Sequence, residues 1–200
     1  MNWMQSSRIV LASQSPRRKE LLKAAGFEFE IKIADIDEED IPSSIPITLI
    51  PAYLAESKAK KVQELMQADR LILAADSLVF KDNTIFSKPR DRQDAIRILS
   101  ELSHAEHTVI TGVCLLDKTS IEVRSVHSQV IFKEITIQEI EYYIDQYTPY
   151  DKAGAYGIQD WIGLCKVDKI IGSYTNIMGL PMETVYEMLF KKLNSYKSST

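Results

Sequence analysis

The segment that most constrains the fold is a nearly continuous apolar run over residues 71–80, interrupted only by Asp76 and Ser77. A run of this length and composition predicts a buried strand. Helical patterns precede and follow it along the chain, over 52–67 and 91–102. A buried strand placed between helices is typical of an α/β protein rather than an all-β one.

Two further strand patterns follow each other directly, over 108–116 and 121–133, and the four residues between them predict a hairpin turn. The next segment, 136–147, predicts a helix that opens on a capping box formed by Thr136 and Glu139. Because strands occur both consecutively and interleaved with helices, we expect an α/β fold with a mixed sheet rather than a purely parallel one.

The other predicted strands and helices fit the same fold class, and the sequence contains no internal repeat. A glycine ends the first predicted helix, and alternating apolar and charged residues predict a half-buried strand after it. The remaining predicted elements are a strand over 8–12, a helix over 16–25 ending before Gly26, a strand over 27–33, a strand near 164–171 and a helix from 181 to 193.

Length and composition predict an ordinary cytoplasmic globular protein that forms a single domain over 1–200, or one domain with a modest lobe. Its 200 residues are 45% hydrophobic and 26% charged, with a formal net charge of −4. A net negative charge gives no global attraction for nucleic acid or for an anionic membrane, and no apolar run is long enough for a membrane span. Cys114 and Cys165 each lie in an apolar stretch, which favours two small core residues in a reducing cytosol.

The most informative local feature is an excess of positive charge at a predicted helix start, residues 13–19. Ser15 is a good N-cap and Pro16 suits the first helical position. The three cations at 17–19 then oppose the helix dipole, each at a cost of roughly 0.3–1 kcal/mol. A basic surface turn would explain them, but free N–H groups, hydroxyls and cations after a buried strand favour an anion site, and phosphate in particular.

Two other charged residues interrupt apolar patterns. Asp76 breaks the buried strand, where a carboxylate is costly unless it is paired, protonated or bound to metal; a turn cap or an arginine pair would be the structural explanation. Lys58 lies on the apolar stripe of its helix, so it either extends outward to solvent or reaches an anion. Lys88 is held extended by Pro89 and by itself resembles a loop lysine.

Two loops carry weaker signals. The acidic loop 35–40 could supply oxygen ligands to Mg²⁺ or Mn²⁺ beside a polyphosphate. In the glycine-containing segment 151–159, Tyr156 offers a stacking face, and the amide of Gln159 matches the donor and acceptor groups of uracil or thymine. The histidines lack the partners of a zinc site and are interpreted as structural: His104, His107 and His127.

Taken together, these motifs make the chain resemble the Maf family of nucleoside triphosphate pyrophosphatases along nearly its whole length. The blocks that carry the resemblance are Leu11–Arg18, Ala75–Ser77, Lys88–Asp91 and Asp151–Gln159, with Gly172–Tyr174 and Gly179–Pro181. The resemblance implies a mixed, elongated sheet flanked by helices, in two lobes with a central cleft, similar to the inosine triphosphate pyrophosphatases. It also implies hydrolysis of a triphosphate to the monophosphate and pyrophosphate with Mg²⁺ or Mn²⁺.

By the same resemblance, Asp76 is the proton acceptor that activates water for attack on the α-phosphorus. The implied selectivity positions are Arg17, Ser77 and Gln159, and the implied triphosphate contacts are Ser13, Ser15, Arg18, Lys58 and Lys88. Glu38 is the implied metal ligand together with Asp76, and whether Asp76 serves as base or as metal ligand stays open.

The paired arginines and the Gly-Ile-Gln sequence are similar to the branch of the family that acts on dTTP and UTP. This chain differs from that branch at Ser77, where threonine is usual, a change that keeps the hydroxyl and removes a methyl group. The alternatives are a pyrophosphatase for modified or non-canonical nucleotides and a non-catalytic nucleotide sensor that regulates cell division. The expected partner is the nucleotide alone, with neither nucleic acid nor membrane; homodimers are common in such folds.

Overall fold

The computed structural model describes residues 8–33, 35–36, 40–66 and 70–197. The chain forms two compact units. The first unit comprises Met1–Asp76, Thr111–Val126 and Gly179–Thr200, and the second comprises Ser77–Ile110 and His127–Met178.

Strands and helices follow the predicted order closely. The strands are β1 (Ile9–Leu11), β2 (Glu30–Ile31), β3 (Leu71–Lys81), β4 (Thr84–Phe86), β5 (Glu106–Leu116), β6 (Ile121–Phe132) and β7 (Val167–Ile171). The helices are α1 (Pro16–Ala24), α2 (Ile50–Leu65), α3 (Arg92–Leu102), α4 (Ile137–Tyr147), α5 (Trp161–Lys166), α6 (Tyr174–Ile177) and α7 (Met182–Lys197). Short 3-10 helices cover Ile47–Leu49, Pro149–Asp151 and Ala153–Ala155. The capping box predicted at Thr136 is confirmed, with both of its hydrogen bonds formed.

In the first unit, alternation along the strands assigns side chains to two faces of the sheet. β1 runs parallel to β2 and β3, with Ile9 opposite Leu71, and β5 and β6 extend the sheet beyond β3. One set of strand residues, including Ile9 and Leu73, packs with α1 and α7. The intervening set, including Val10 and Ile72, packs with α2. Both faces are therefore covered, which explains the continuous apolar pattern of the first half of β3.

In the second unit, two shorter strands pair antiparallel with the ends of β3 and β6. β4 pairs antiparallel with β3, placing Phe86 opposite Val79, and β7 pairs antiparallel with β6. The core of this unit is formed with buried residues of α3 and α4, among them Leu99 and Tyr143. The mixed sheet flanked by helices is thus confirmed. Within the described residues, no helix is long and apolar enough to cross a membrane.

Two predicted strands are shorter than the sequence indicates. The strand predicted over 27–33 is reduced to β2. Among the described residues its one partner is β1, itself three residues long, and the side chains of β2 stay exposed. The strand predicted near 164–171 begins at Val167, since the preceding residues form α5. Leu164 is consequently 77% exposed. Of the two cysteines expected in the core, Cys114 is buried as predicted, whereas Cys165 is exposed on α5 and that prediction is wrong.

Candidate active site

Helix α1 begins at the residue predicted from the sequence, directly after the N-cap Ser15. Pro16 opens the helix, and the side chain of Ser15 accepts a hydrogen bond from the Arg18 N–H at 3.5 Å. The Ser15 N–H in turn donates to the Oγ of Ser13, a buried residue, at 3.2 Å. The first helical turn contains no acidic residue to offset its positive charges. We call this segment, residues 13–19, the cationic turn.

Arg18 connects the cationic turn to two other parts of the first unit. Its Nε donates to the carbonyl of Gly179 at 2.8 Å, and one terminal nitrogen donates to the carbonyl of Ala75 at 2.7 Å. The same terminal nitrogen lies 3.3 Å from the Oγ of Ser13. Arg18 therefore fixes the turn against the residue that immediately precedes Asp76 in β3.

The carboxylate of Asp76 is paired with a lysine from α2. The Nζ of Lys58 lies 2.5 Å from the Oδ1 of Asp76, and each side chain is only 15% exposed. Lys58 shares its helix with the buried residues Ala55, Ala59 and Val62, so it lies beside the apolar face as predicted. Of its two predicted alternatives, Lys58 reaches an anion, and that anion is the protein's own carboxylate. Asp76 is paired as its burial requires, with a lysine rather than the arginine considered from sequence.

The described residues fit a divalent cation that arrives with a triphosphate better than one held by the protein alone. Mg²⁺ is usually bound by one or two carboxylates together with substrate phosphates and water. Within the described ranges no cluster of three or more histidine, cysteine or acidic side chains is placed to hold a metal ion. One oxygen of Asp76 is in the ion pair with Lys58, and Glu38 lies outside the described residues.

The other predicted residues belong to the second unit. Ser77 follows Asp76 directly and is half-buried, while Lys88 is exposed in the loop after β4. The Gly154 N–H donates to the carbonyl of Ser87 at 3.3 Å, which joins the residue before Lys88 to the loop that carries Gln159. The predicted residues therefore divide by unit: Ser13, Ser15, Arg17, Arg18, Lys58 and Asp76 in the first, and Ser77, Lys88 and Gln159 in the second.

A comparison with known protein families shows to which family the chain belongs. The family model described as Maf-like protein matches residues 8–192. The chain belongs to the Maf-like family. Among solved structures, this Maf-like protein matches a HAM1 protein from Coxiella burnetii at a TM-score of 0.42 and 18% identity, covering 64% of this chain and 73% of that one. That similarity is too low to support a conclusion about either protein.

Curated relatives match this Maf-like chain over nine-tenths of its length. A dTTP/UTP pyrophosphatase of Parabacteroides distasonis is 44% identical over 182 residues, covering 91% of this chain and 94% of that protein. A dTTP/UTP pyrophosphatase of Porphyromonas gingivalis is 44% identical over 184 residues, with coverages of 91% and 92%. One of Flavobacterium psychrophilum is 42% identical over 182 residues, with coverages of 91% and 93%.

Three buried side chains hold the loop around Gln159 in this Maf-like protein, and the sequence patterns did not single out Tyr143 among them. The Tyr143 hydroxyl contacts Gly157 and Asp160, and the Nε2 of His107 lies 2.7 Å from the Tyr156 hydroxyl. Burial lowers the pKa of His107 to about 3, so its ring is neutral, in keeping with the structural role predicted for it. Nothing in the local pattern distinguishes Tyr143 from an ordinary core residue of an amphipathic helix.

Proposed function

We propose that this protein hydrolyses nucleoside triphosphates, dTTP and UTP above others, to the monophosphate and pyrophosphate. The carrying observation is the ion pair of Lys58 and Asp76 beside a cationic turn that Arg18 ties to the residue preceding Asp76. The chain is a hydrolase of the pyrophosphatase class, as its 44% identity to dTTP/UTP pyrophosphatases over 91% of its length supports. We propose that it acts in the cytoplasm, as one domain over 1–200.

In the proposed reaction, Asp76 accepts the proton of the attacking water. The water oxygen forms a bond to the α-phosphorus while the bond from that phosphorus to the bridging oxygen breaks, and pyrophosphate leaves with the electron pair. Lys58 orients the carboxylate of Asp76 through their ion pair. If Asp76 instead binds metal, its role as base passes to another group, because one carboxylate cannot freely do both.

The cationic turn is proposed to bind the phosphates. N–H groups at a helix start and the hydroxyls of Ser13 and Ser15 suit phosphate oxygens, and Arg17 adds charge in the same turn. Arg18 is also a predicted phosphate contact. Its hydrogen bonds to Gly179 and Ala75 support a further duty, which is to hold the turn in place. Lys88 is the proposed phosphate contact from the second unit.

A divalent cation, Mg²⁺ or Mn²⁺, would offset the charge that builds on the phosphates during bond cleavage. We propose Asp76 and Glu38 as the protein's ligands to a cation bound to the triphosphate. We further propose that Arg17, Ser77 and Gln159 set the choice of nucleotide. Serine in place of the usual threonine at position 77 keeps a hydroxyl for that purpose.

The test is hydrolysis of a panel of normal and modified triphosphates by the wild-type protein and by Asp76→Asn, with pyrophosphate and phosphate measured separately. Removing a positioned base lowers kcat by about 10²–10⁴-fold, and we expect a loss of that size. The matched control is Asp82→Asn, because Asp82 is exposed in the β3–β4 turn with a φ of 50°, where asparagine is well tolerated.

Each alternative predicts a different result in this assay. Phosphate released without pyrophosphate would exclude attack on the α-phosphorus. A highest kcat/KM for a modified nucleotide would favour the role in removing non-canonical nucleotides. Binding without turnover across the whole panel would favour the sensor, and full activity of Asp76→Asn would remove Asp76 from the reaction.

A further inference from the structure

Gln159 is carried by a tight turn in the second unit. The Asp160 N–H donates to the carbonyl of Gly157 at 3.0 Å, which closes a four-residue β-turn with Gln159 at its third position. Ile158, at the second position, is buried in the core of the unit. The direction in which the Gln159 amide points therefore depends on how firmly the two ends of the turn are held.

A single phenol oxygen holds both ends of the turn. The hydroxyl of Tyr143, a fully buried residue of α4, donates to the Oδ2 of Asp160 at 2.8 Å. The same oxygen accepts a hydrogen bond from the Gly157 N–H at 3.0 Å. Burial and the hydrogen bond to Asp160 raise the pKa of Tyr143, so the phenol keeps its proton and remains a donor.

The turn has little room to move within this arrangement. A Cβ at Gly157 would lie 2.5 Å from the Oδ2 of Asp160 and 2.9 Å from the Nε2 of Gln159, so a side chain there would displace both groups. A Cβ at Gly163 would clash with the carbonyl of Ile158, which shows how closely α5 approaches the turn. Asp160, the residue before α5, directs its carboxylate to Tyr143 rather than to the helix N–H groups.

The amide of Gln159 has unused hydrogen-bonding capacity. Among the described residues, its Oε1 is buried and accepts no hydrogen bond. A buried acceptor without a donor is unfavourable by about 1–3 kcal/mol, so it is expected to be satisfied when a ligand binds. The N3–H of a uracil or thymine ring is a donor of the required kind, whereas the same ring atom of cytosine carries no hydrogen.

From these contacts we infer that Tyr143 is a positioning residue that determines base selectivity by fixing the turn at 157–160 and, through it, the amide of Gln159. This inference rests on the proposed function, because it concerns the choice between pyrimidine triphosphates. Tyr143 acts here through hydrogen bonds to the turn and needs no contact with the nucleotide.

The kinetic test is Tyr143→Phe, which removes one oxygen and keeps the ring in the core. We expect the ratio of kcat/KM for UTP to that for CTP to fall by about tenfold, the effect of one misplaced hydrogen bond. The change should appear in KM for UTP, with kcat within about twofold of wild type, because Asp76 and Lys58 are untouched. Tyr142→Phe, the same change at an exposed neighbour on α4, should leave the ratio unchanged.

A second measurement tests, without using activity, whether Tyr143 holds the turn at 157–160. Hydrogen exchange of the Gly157 amide should accelerate by at least about tenfold in Tyr143→Phe, since that N–H loses its buried acceptor. Asp160→Ala removes the acceptor of the Tyr143 hydroxyl and should reproduce both effects. Asp160→Asn keeps an oxygen for that hydroxyl, so its exchange rate and its UTP-to-CTP ratio should stay close to those of the wild type. This pair also gives an answer if Tyr143→Phe does not fold.

Three results are decisive. An unchanged exchange rate at Gly157 would show that Tyr143 does not hold the turn. Accelerated exchange with an unchanged UTP-to-CTP ratio would overturn the role of Tyr143 in selectivity. A wild-type protein that releases no pyrophosphate from any triphosphate would overturn the proposed function and the selectivity role with it. In that case the exchange measurement would still decide whether Tyr143 holds the turn.

Discussion

The cationic turn of the first unit and the turn at 157–160 of the second are held in different ways. The first is tied by charged groups that remain partly exposed, through Arg18 to two backbone carbonyls and beside the ion pair of Lys58 and Asp76. The second is held by the neutral phenol of a fully buried tyrosine. Charged anchors suit a highly charged ligand such as a triphosphate, whereas neutral buried anchors suit recognition of an uncharged base edge.

Breaking the ion pair in the first region should have the largest effect. Lys58→Met removes the cation 2.5 Å from the Asp76 carboxylate, so the proposed base loses both its orientation and the neighbouring positive charge. We expect kcat for dTTP to fall by about 10²-fold or more, as when a preorganised electrostatic partner is removed. Steady-state release of pyrophosphate measures this loss.

The control for this variant lies on the exposed side of the same helix. Lys60→Met removes the pair with Glu56, whose atoms are 2.6 Å apart, and an exposed pair of this kind contributes about 0–1 kcal/mol. Its activity should stay within about twofold of wild type. Equal losses in the two variants would show that Lys58 matters only as part of α2 and would remove the electrostatic argument.

Replacing Arg18 by lysine should cause a smaller loss, and in stability as well as activity. A single ammonium group cannot reproduce the separate donors that reach Gly179 and Ala75. We expect the free energy of unfolding in urea to fall by about 1–3 kcal/mol, the effect of leaving a partly buried acceptor without its donor. Arg90→Lys, the same exchange at a side chain that is 84% exposed, should change stability by less than about 0.5 kcal/mol. A similar loss in both variants would contradict the anchoring role of Arg18.

In the second region, the expected effect is a gradual dependence of stability on pH. Burial lowers the pKa of His107 to about 3 in the folded protein, against an ordinary value of 6.5. Between these two values the unfolded state binds the additional proton, so the free energy of unfolding falls as the pH falls, by about 1.4 kcal/mol per pH unit from this group. Above pH 6.5 the contribution is complete.

Urea unfolding of His107→Gln between pH 6 and pH 4 checks this expectation. Glutamine can still bond to the Tyr156 hydroxyl but does not titrate, so the pH dependence of stability should be weaker than in wild type by about 1.4 kcal/mol per unit. Identical slopes for wild type and His107→Gln would show that His107 is not held neutral in the folded state.

Charged residues in unfavourable positions were predictable from the sequence, whereas the lengths of some strands were not. Asp76, Lys58 and the cationic turn were found because each places a charge where an apolar or helical pattern disfavours it. The long elements β3, β5, β6 and α2–α4 were found from periodicity, whereas β2 and the start of β7 were predicted too long. The extent of β2 depends on which neighbouring strand pairs with it, and β7 begins where α5 ends; no local pattern records either.

The sequence by itself determined the mixed α/β fold, the helix start at Ser15 and membership of the Maf-like family, since these depend on local spacing and on ordered motifs. Only the tertiary structure decided that the partner of Asp76 is Lys58, that Arg18 bonds to backbone carbonyls, and that Tyr143 closes the turn of Gln159. Each of these contacts joins residues far apart in the chain, so its formation depends on packing rather than on the residues alongside.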